Sequence, residues 1–213
     1  MDPNGEAVAA MIVDGLCSNC TILAGKPGLV FEDGSEAGPS QGIYLHHIVS
    51  SDFSKKSRQP VSKCPINADG SQTRRVGGKQ QLNEKLGAEL FAQGDDNSTP
   101  FYFTSEDGTY KSGFFVGPQD KFTLQADLVN YNEESKVVYV TYDIEYVEGH
   151  VGADAVATLL NVAGCGQDHN VTGSAIALSK TGPAVTESKR FAILADGKII
   201  SASRFQSRSI NSE

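Results

Sequence analysis

"KFTLQADLVNYNEESKVVYVTYDIEYVEG", residues 121–149, alternates apolar and polar side chains over most of its length. Phe122, Leu124, Ala126 and Leu128 are interleaved with Thr123, Gln125, Asp127 and Val129. After the polar stretch "NYNEES", Val138, Val140, Tyr142, Ile144 and Tyr146 fall on one face. A period of two over such lengths predicts two strands. The short polar stretch between them predicts a hairpin, with the apolar face of the first strand against core-facing residues of 137–147.

Outward from this segment the same pattern recurs. "IYLHHIV" (43–49) reads as a strand, and "SAIAL" (174–178) and "KRFAILADGKIIS" (189–201) add others. "EDGS", "ADGS", "EDGT" and "ADGK" each carry an Asp-Gly turn signal. One helical spacing stands out in "QQLNEKLGAELFAQG" (80–94), where Leu82, Leu86 and Leu90 predict a short helix ended by Gly94. Many short strands with few helices predict an all-β fold, an antiparallel β-sandwich. Residues 1–14 carry no clear element, 15–202 form the expected sandwich domain, and 203–213 read as an irregular tail.

Within the strand 43–49 lie two adjacent histidines, His46 and His47. Imidazole is the commonest metal ligand among side chains. Adjacent strand residues point to opposite faces, which sets Tyr44, His46 and Ile48 against Ile43, Leu45, His47 and Val49. Both rings reach one ion only at a strand end, an edge or a bulge. The other reading gives each ring an ordinary hydrogen-bonded neighbour. His150 in "VEGHVGADA" reads as a solvent-facing loop residue, and His169 precedes the asparagine of a glycosylation sequon.

Of the four cysteines, Cys17 and Cys20 form a "CSNC" spacing, with Cys64 and Cys165 isolated. That spacing suits a disulfide, half a metal knuckle or a redox pair. A structural disulfide framework is the reading preferred here, with its pairing open. Sequons at Asn19, Asn97 and Asn170 agree with an oxidising, secretory setting. The opening "MDPNGEAVAAMIVDGLC" has acid where a basic leader region belongs. A secreted protein is therefore expected to have a different natural N-terminus.

The chain of 213 residues carries a formal charge of −8, which leaves no basic surplus for nucleic acid or an anionic membrane. Lys55, Lys56 and Arg58, and Arg74 with Arg75, read as solvated loop clusters, as do the acidic pairs Asp95-Asp96 and Glu133-Glu134. No apolar window approaches the ~20 residues of a membrane span. Nucleotide-binding loops, nucleophile elbows and H-E-x-x-H motifs are absent from the sequence.

The strings "CSNCTILAGKPGLVFEDGS", "GIYLHHIVSSD", "GPQDKFTLQADLVNYNEESKVVYVTYDIEYVEG" and "FAILADGKIISA", in that order, resemble the stress up-regulated nodulin-type proteins, many of them secreted and fungal. More distantly, the chain is similar to the copper type II monooxygenases of the peptidylglycine α-hydroxylating and dopamine β-hydroxylating kind. The resemblance implies a copper-monooxygenase-like sandwich with His46 and His47 as ligands of a first copper. It puts Asp127, in "LQADL", where those enzymes have a third histidine. A second copper there takes a His-x-His pair and a methionine, whereas this chain ends in "ADGKIISASRFQSRSINSE" and its methionines are Met1 and Met11. The resemblance thus implies a sandwich incomplete at its C-terminal edge. Two functions follow: a secreted, non-catalytic β-sandwich with an incomplete copper ligand set, or a copper-dependent oxidoreductase.

Overall fold

The computed structural model describes residues 6–12, 16–55, 87–94, 99–158, 190 and 192–202. The chain divides into two compact units, Met1–Ser57 with Glu84–Ala155 and Ile199–Glu213, and Arg58–Asn83 with Val156–Lys198. In the second unit the described residues are irregular, apart from a bridge at Ile193.

The first unit is all β, and no α-helix occurs among the described residues. Its strands are β1 (Glu6–Ile12), β2 (Cys20–Val30), β3 (Ile43–Asp52), β4 (Ala88–Gly94), β5 (Phe101–Tyr102), β6 (Ser112–Val116), β7 (Phe122–Asn130), β8 (Tyr139–Glu148) and β9 (Ala153–Asp154). One sheet runs β1-β7-β3-β4, all antiparallel. The other runs β5-β2-β6-β9, with β8 also on β2 and a parallel step from β6 to β9. Two apolar clusters fill the space between the sheets. One joins Ile22, Leu90, Phe91, Phe114 and Phe122, and the other joins Leu29, Ile43, Leu45, Ile48, Ala126 and Leu128.

The strands read from 121–149 are both present, but they do not pair with each other. β7 lies between β1 and β3, whereas β8 lies on β2 in the opposite sheet. The alternation reports which face is buried, and both strands do bury that face: Phe122, Ala126 and Leu128 are core residues, and Val138, Val140, Tyr142 and Ile144 pack on it. Only Tyr146 departs, half exposed. The connection is an arch between sheets rather than a hairpin, because Asn130 turns the chain. Its side chain donates to the Glu134 carbonyl and accepts from the Asn132 amide, at 2.8 and 3.0 Å.

The helix expected over 80–94 is replaced, in its described part, by β4. The register of β4 against β3 slips at Leu90, so that Leu90 and Phe91 are both buried. Leu82 and Leu86, on which the helical spacing also rested, lie outside the described residues. The strand expected at 189–201 is irregular and belongs to none of the ladders among the described residues. Ile193, Leu194 and Ile199 stand exposed there. The "SAIAL" strand lies outside the described residues.

Two Asp-Gly signals do make turns. In each, the Asp carboxylate accepts bonds from the amide and hydroxyl two residues on: Asp33 from Ser35, and Asp107 from Thr109. Gly34 and Gly108 supply the left-handed φ of 81° and 68°. Gly25 has a different duty. A Cβ on it would stand 2.4 Å from the Phe91 ring, so only glycine lets β2 approach that ring.

Candidate metal centre

β3 is paired along its length with β7, but the register slips between Leu45 and His47. Leu45 faces Leu128 and His47 faces Asp127, which leaves His46 as the extra residue of a β-bulge. The slip resets the alternation. Ile48 joins Ile43 and Leu45 in the core, not the opposite face on which strict alternation places it. The bulge also cancels the divergence expected of neighbouring histidines. Their ring centroids lie 5.2 Å apart, and both rings reach the same carboxylate.

Nδ1 of His46 stands 2.8 Å from Oδ2 of Asp127, and Nδ1 of His47 stands 3.8 Å from it. The shorter contact is a hydrogen bond in which the ring donates and the carboxylate accepts. One ligand atom from each of His46, His47 and Asp127 fits within a span of 4.8 Å. All three side chains are partly exposed, at 30%, 25% and 34%, so an ion and an outer ligand have access from solvent.

Two imidazoles and a carboxylate fit a divalent transition metal. Among first-row divalent ions such nitrogen and oxygen sites hold Cu(II) most strongly. The set fits Cu(I) less well, since the cuprous ion favours soft sulfur donors over a carboxylate.

The other sequence candidates fall elsewhere. Cys17 and Cys20 are joined as a disulfide, in line with the preferred reading of that pair. Cys64 and Cys165 lie outside the described residues, as do Asn97, Asn170 and His169. Asn19 is exposed inside the disulfide loop with φ 49°, a left-handed conformation asparagine tolerates. Thr21, of the same sequon, is fully buried; its hydroxyl donates to the Gly149 carbonyl at 2.6 Å and accepts from the Val151 amide at 2.9 Å. His150 is half exposed as expected. Its ring stacks on Phe115 at 4.4 Å and bonds Asp154 at 2.8 Å.

One ionic group was missed in the sequence. Lys55, expected in a solvated loop, lies 2.9 Å from fully buried Asp52 and 2.6 Å from Asp120, and donates to the Phe115 carbonyl. Burial raises the Asp52 carboxyl above its usual range despite Lys55. At Asp120 burial works in the same direction, but bonds from Lys55 and the Gly117 amide outweigh it and hold that carboxyl low. The signal available was Asp52-x-x-Lys55 at a strand end. Lys56, Arg58, Arg74 and Arg75 lie outside the described residues. Among the described residues no helix is long and apolar enough to cross a membrane.

No protein-family model matches the chain, and no solved structure matches it. It is 28% identical over 167 residues to the "Probable copper-dependent oxygenase M1" of Phoma sp., which covers 77% of this chain and 37% of that protein. It is 28% identical over 151 residues to the "Probable copper-dependent oxygenase clz3" of Cochliobolus lunatus, covering 70% of this chain and 41% of the relative. The chain spans less than half the length of these curated relatives, and its relationship is to copper-oxygenase-like proteins.

Proposed function

We propose that this chain is a copper-binding β-sandwich of an oxygenase-like oxidoreductase, with His46, His47 and Asp127 as the ion's ligands. The observation that carries this reading is the bulge at His46, which gathers both imidazoles on one carboxylate. The names of the two relatives support copper as the ion. When bound, copper supplies one-electron redox chemistry. The chain's own part is to hold the ion on a sheet face, open to solvent, with Asp127 accepting from the His46 ring. The non-catalytic reading draws on the same geometry, because the His46–Asp127 bond gives each side chain a partner without an ion. The nodulin-type kinship rests on the sequence strings alone. Secretion is proposed on the three sequons and on the Cys17–Cys20 bridge, since such bonds persist in oxidising compartments.

Electron paramagnetic resonance of the protein with one equivalent of Cu(II) tests the assignment. Hyperfine structure from two nitrogens is expected, reduced to one in His46→Ala or in His47→Ala. A spectrum that both substitutions leave unchanged refutes the site.

A further inference from the structure

The outer face of the β1-β7-β3-β4 sheet carries more than the two histidines. Tyr44 lies on β3 opposite Val129, two residues from Asp127 on β7, and so shares the face of the metal ligands. Its ring centroid is 6.2 Å from that of His46. The ring of Tyr131 stands 6.4 Å from that of Tyr44. Tyr44 is only 8% exposed, whereas Tyr131 is 56% exposed. The row therefore runs from solvent, through a buried phenol, to a candidate ligand. Tyr131 is fixed beside the start of β3, since its amide donates to the Gly42 carbonyl at 2.8 Å and neighbouring Asn132 donates to the Gln41 carbonyl at 3.0 Å.

Phenols are among the side chains most readily oxidised by one electron. Indoles are too, but this chain has no tryptophan. We propose that Tyr44 and Tyr131 form a one-electron relay between the His46–His47–Asp127 group and solvent. The proposal rests on the reading of that group as a redox-active copper site. Its use is to drain oxidising equivalents that arise there without a substrate, moving damage from the ligands to a solvent-facing phenol.

Hydrogen peroxide is the oxidant in the simplest form of the step. Two chains each give up one electron through Tyr44, and the O–H bond of Tyr131 breaks with its proton passing through solvent. The two electrons and two protons cleave the peroxide O–O bond and yield two waters. Each Tyr131 is left as a neutral phenoxyl radical. Two such radicals join ring carbon to ring carbon, and the displaced ring protons return to the oxygens. The sum is one peroxide and two tyrosines giving one dityrosine and two waters.

The experiment treats the Cu(II)-loaded full chain with hydrogen peroxide. It reads the radical by freeze-quench electron paramagnetic resonance and the cross-link by dityrosine fluorescence and peptide mass spectrometry. The expected result is a tyrosyl radical and a cross-link at Tyr131, both lost in Tyr44→Phe while the Cu(II) spectrum stays that of wild type. Tyr131→Phe is expected to keep a radical, now at Tyr44, and to lose the cross-link. Wild-type yield at Tyr131 in Tyr44→Phe overturns the relay and leaves the copper reading standing. So does a cross-link spread equally over the exposed Tyr102, Tyr139 and Tyr146, which marks a diffusing oxidant. A chain whose Cu(II) spectrum shows no histidine nitrogen overturns both.

Discussion

His46 and Asp127 are joined by a 2.8 Å hydrogen bond across a register slip, the extra residue of one strand reaching the side chain that its neighbour His47 faces. The carboxylate thus stands where a third imidazole would complete a nitrogen set. Asp127→His is expected to raise Cu(I) affinity, since it replaces a hard carboxylate with an imidazole, which is the softer donor. Competition titration against a cuprous chelator measures it. Tight Cu(I) binding by the wild-type chain would show that the carboxylate does not set the preference.

Deleting His46 removes the bulge without disturbing the pairs around it. Leu45 already faces Leu128 and His47 already faces Asp127, so the shortened strand closes into a regular ladder. The deletion is expected to cost no more than about 1 kcal/mol, an ordinary single-site change, while metal binding drops to that of a single histidine with Asp127. Urea unfolding and Cu(II) titration on the same protein check the pair of outcomes. Loss of folding would mean the bulge serves the sheet and not the site.

Gly25→Ala places a methyl group 2.4 Å from the Phe91 ring, inside the contact between the two sheets. Overpacking of this kind costs about 1–3 kcal/mol. The urea midpoint should fall accordingly. Gly34→Ala meets no atom within 4 Å, so its cost comes only from the left-handed φ of 81°.

Glu89 on β4 has its carboxyl raised above the usual glutamate range by burial. The folded state then holds a proton that the unfolded chain releases, so stability is greatest below the unfolded value and falls as pH rises through the folded one. Glu89→Gln is expected to be more stable than wild type at neutral pH, with the gap closing as the medium becomes acidic. Denaturation midpoints across that range decide it, and a constant gap would remove ionisation as the cause.

Face alternation was legible because it depends only on which side chains meet water. It identified the strand character of 121–149 and of 43–49. Pairing was not legible, because Phe122 on β7 has the same apolar pattern whether its neighbour is β8 or β3. Both bulges were hidden for a related reason. An inserted residue such as His46 or Leu90 shifts the alternation by one, and nothing in the string distinguishes that shift from a change of element. His46 and His47 stood out as an adjacent pair within a strand, and Asp127 came from the resemblance; the slip that assembles them is a property of two strands read together. Lys55 was misread because a lone cation beside a loop gives no sign of the buried Asp52 that will hold it.

Both N-terminal strands find their partners late in the chain. Val8 faces Ala126 and Cys20 faces Glu148, each about 120 residues downstream. Closing loops of that length precedes any reward from the contacts, which makes such a sheet slow to assemble. During synthesis, β1 and β2 leave the ribosome with unpaired backbone and apolar side chains and stay so until their partner strands have followed. Escorting β1 and β2 is thus a task for whatever machinery receives the nascent chain.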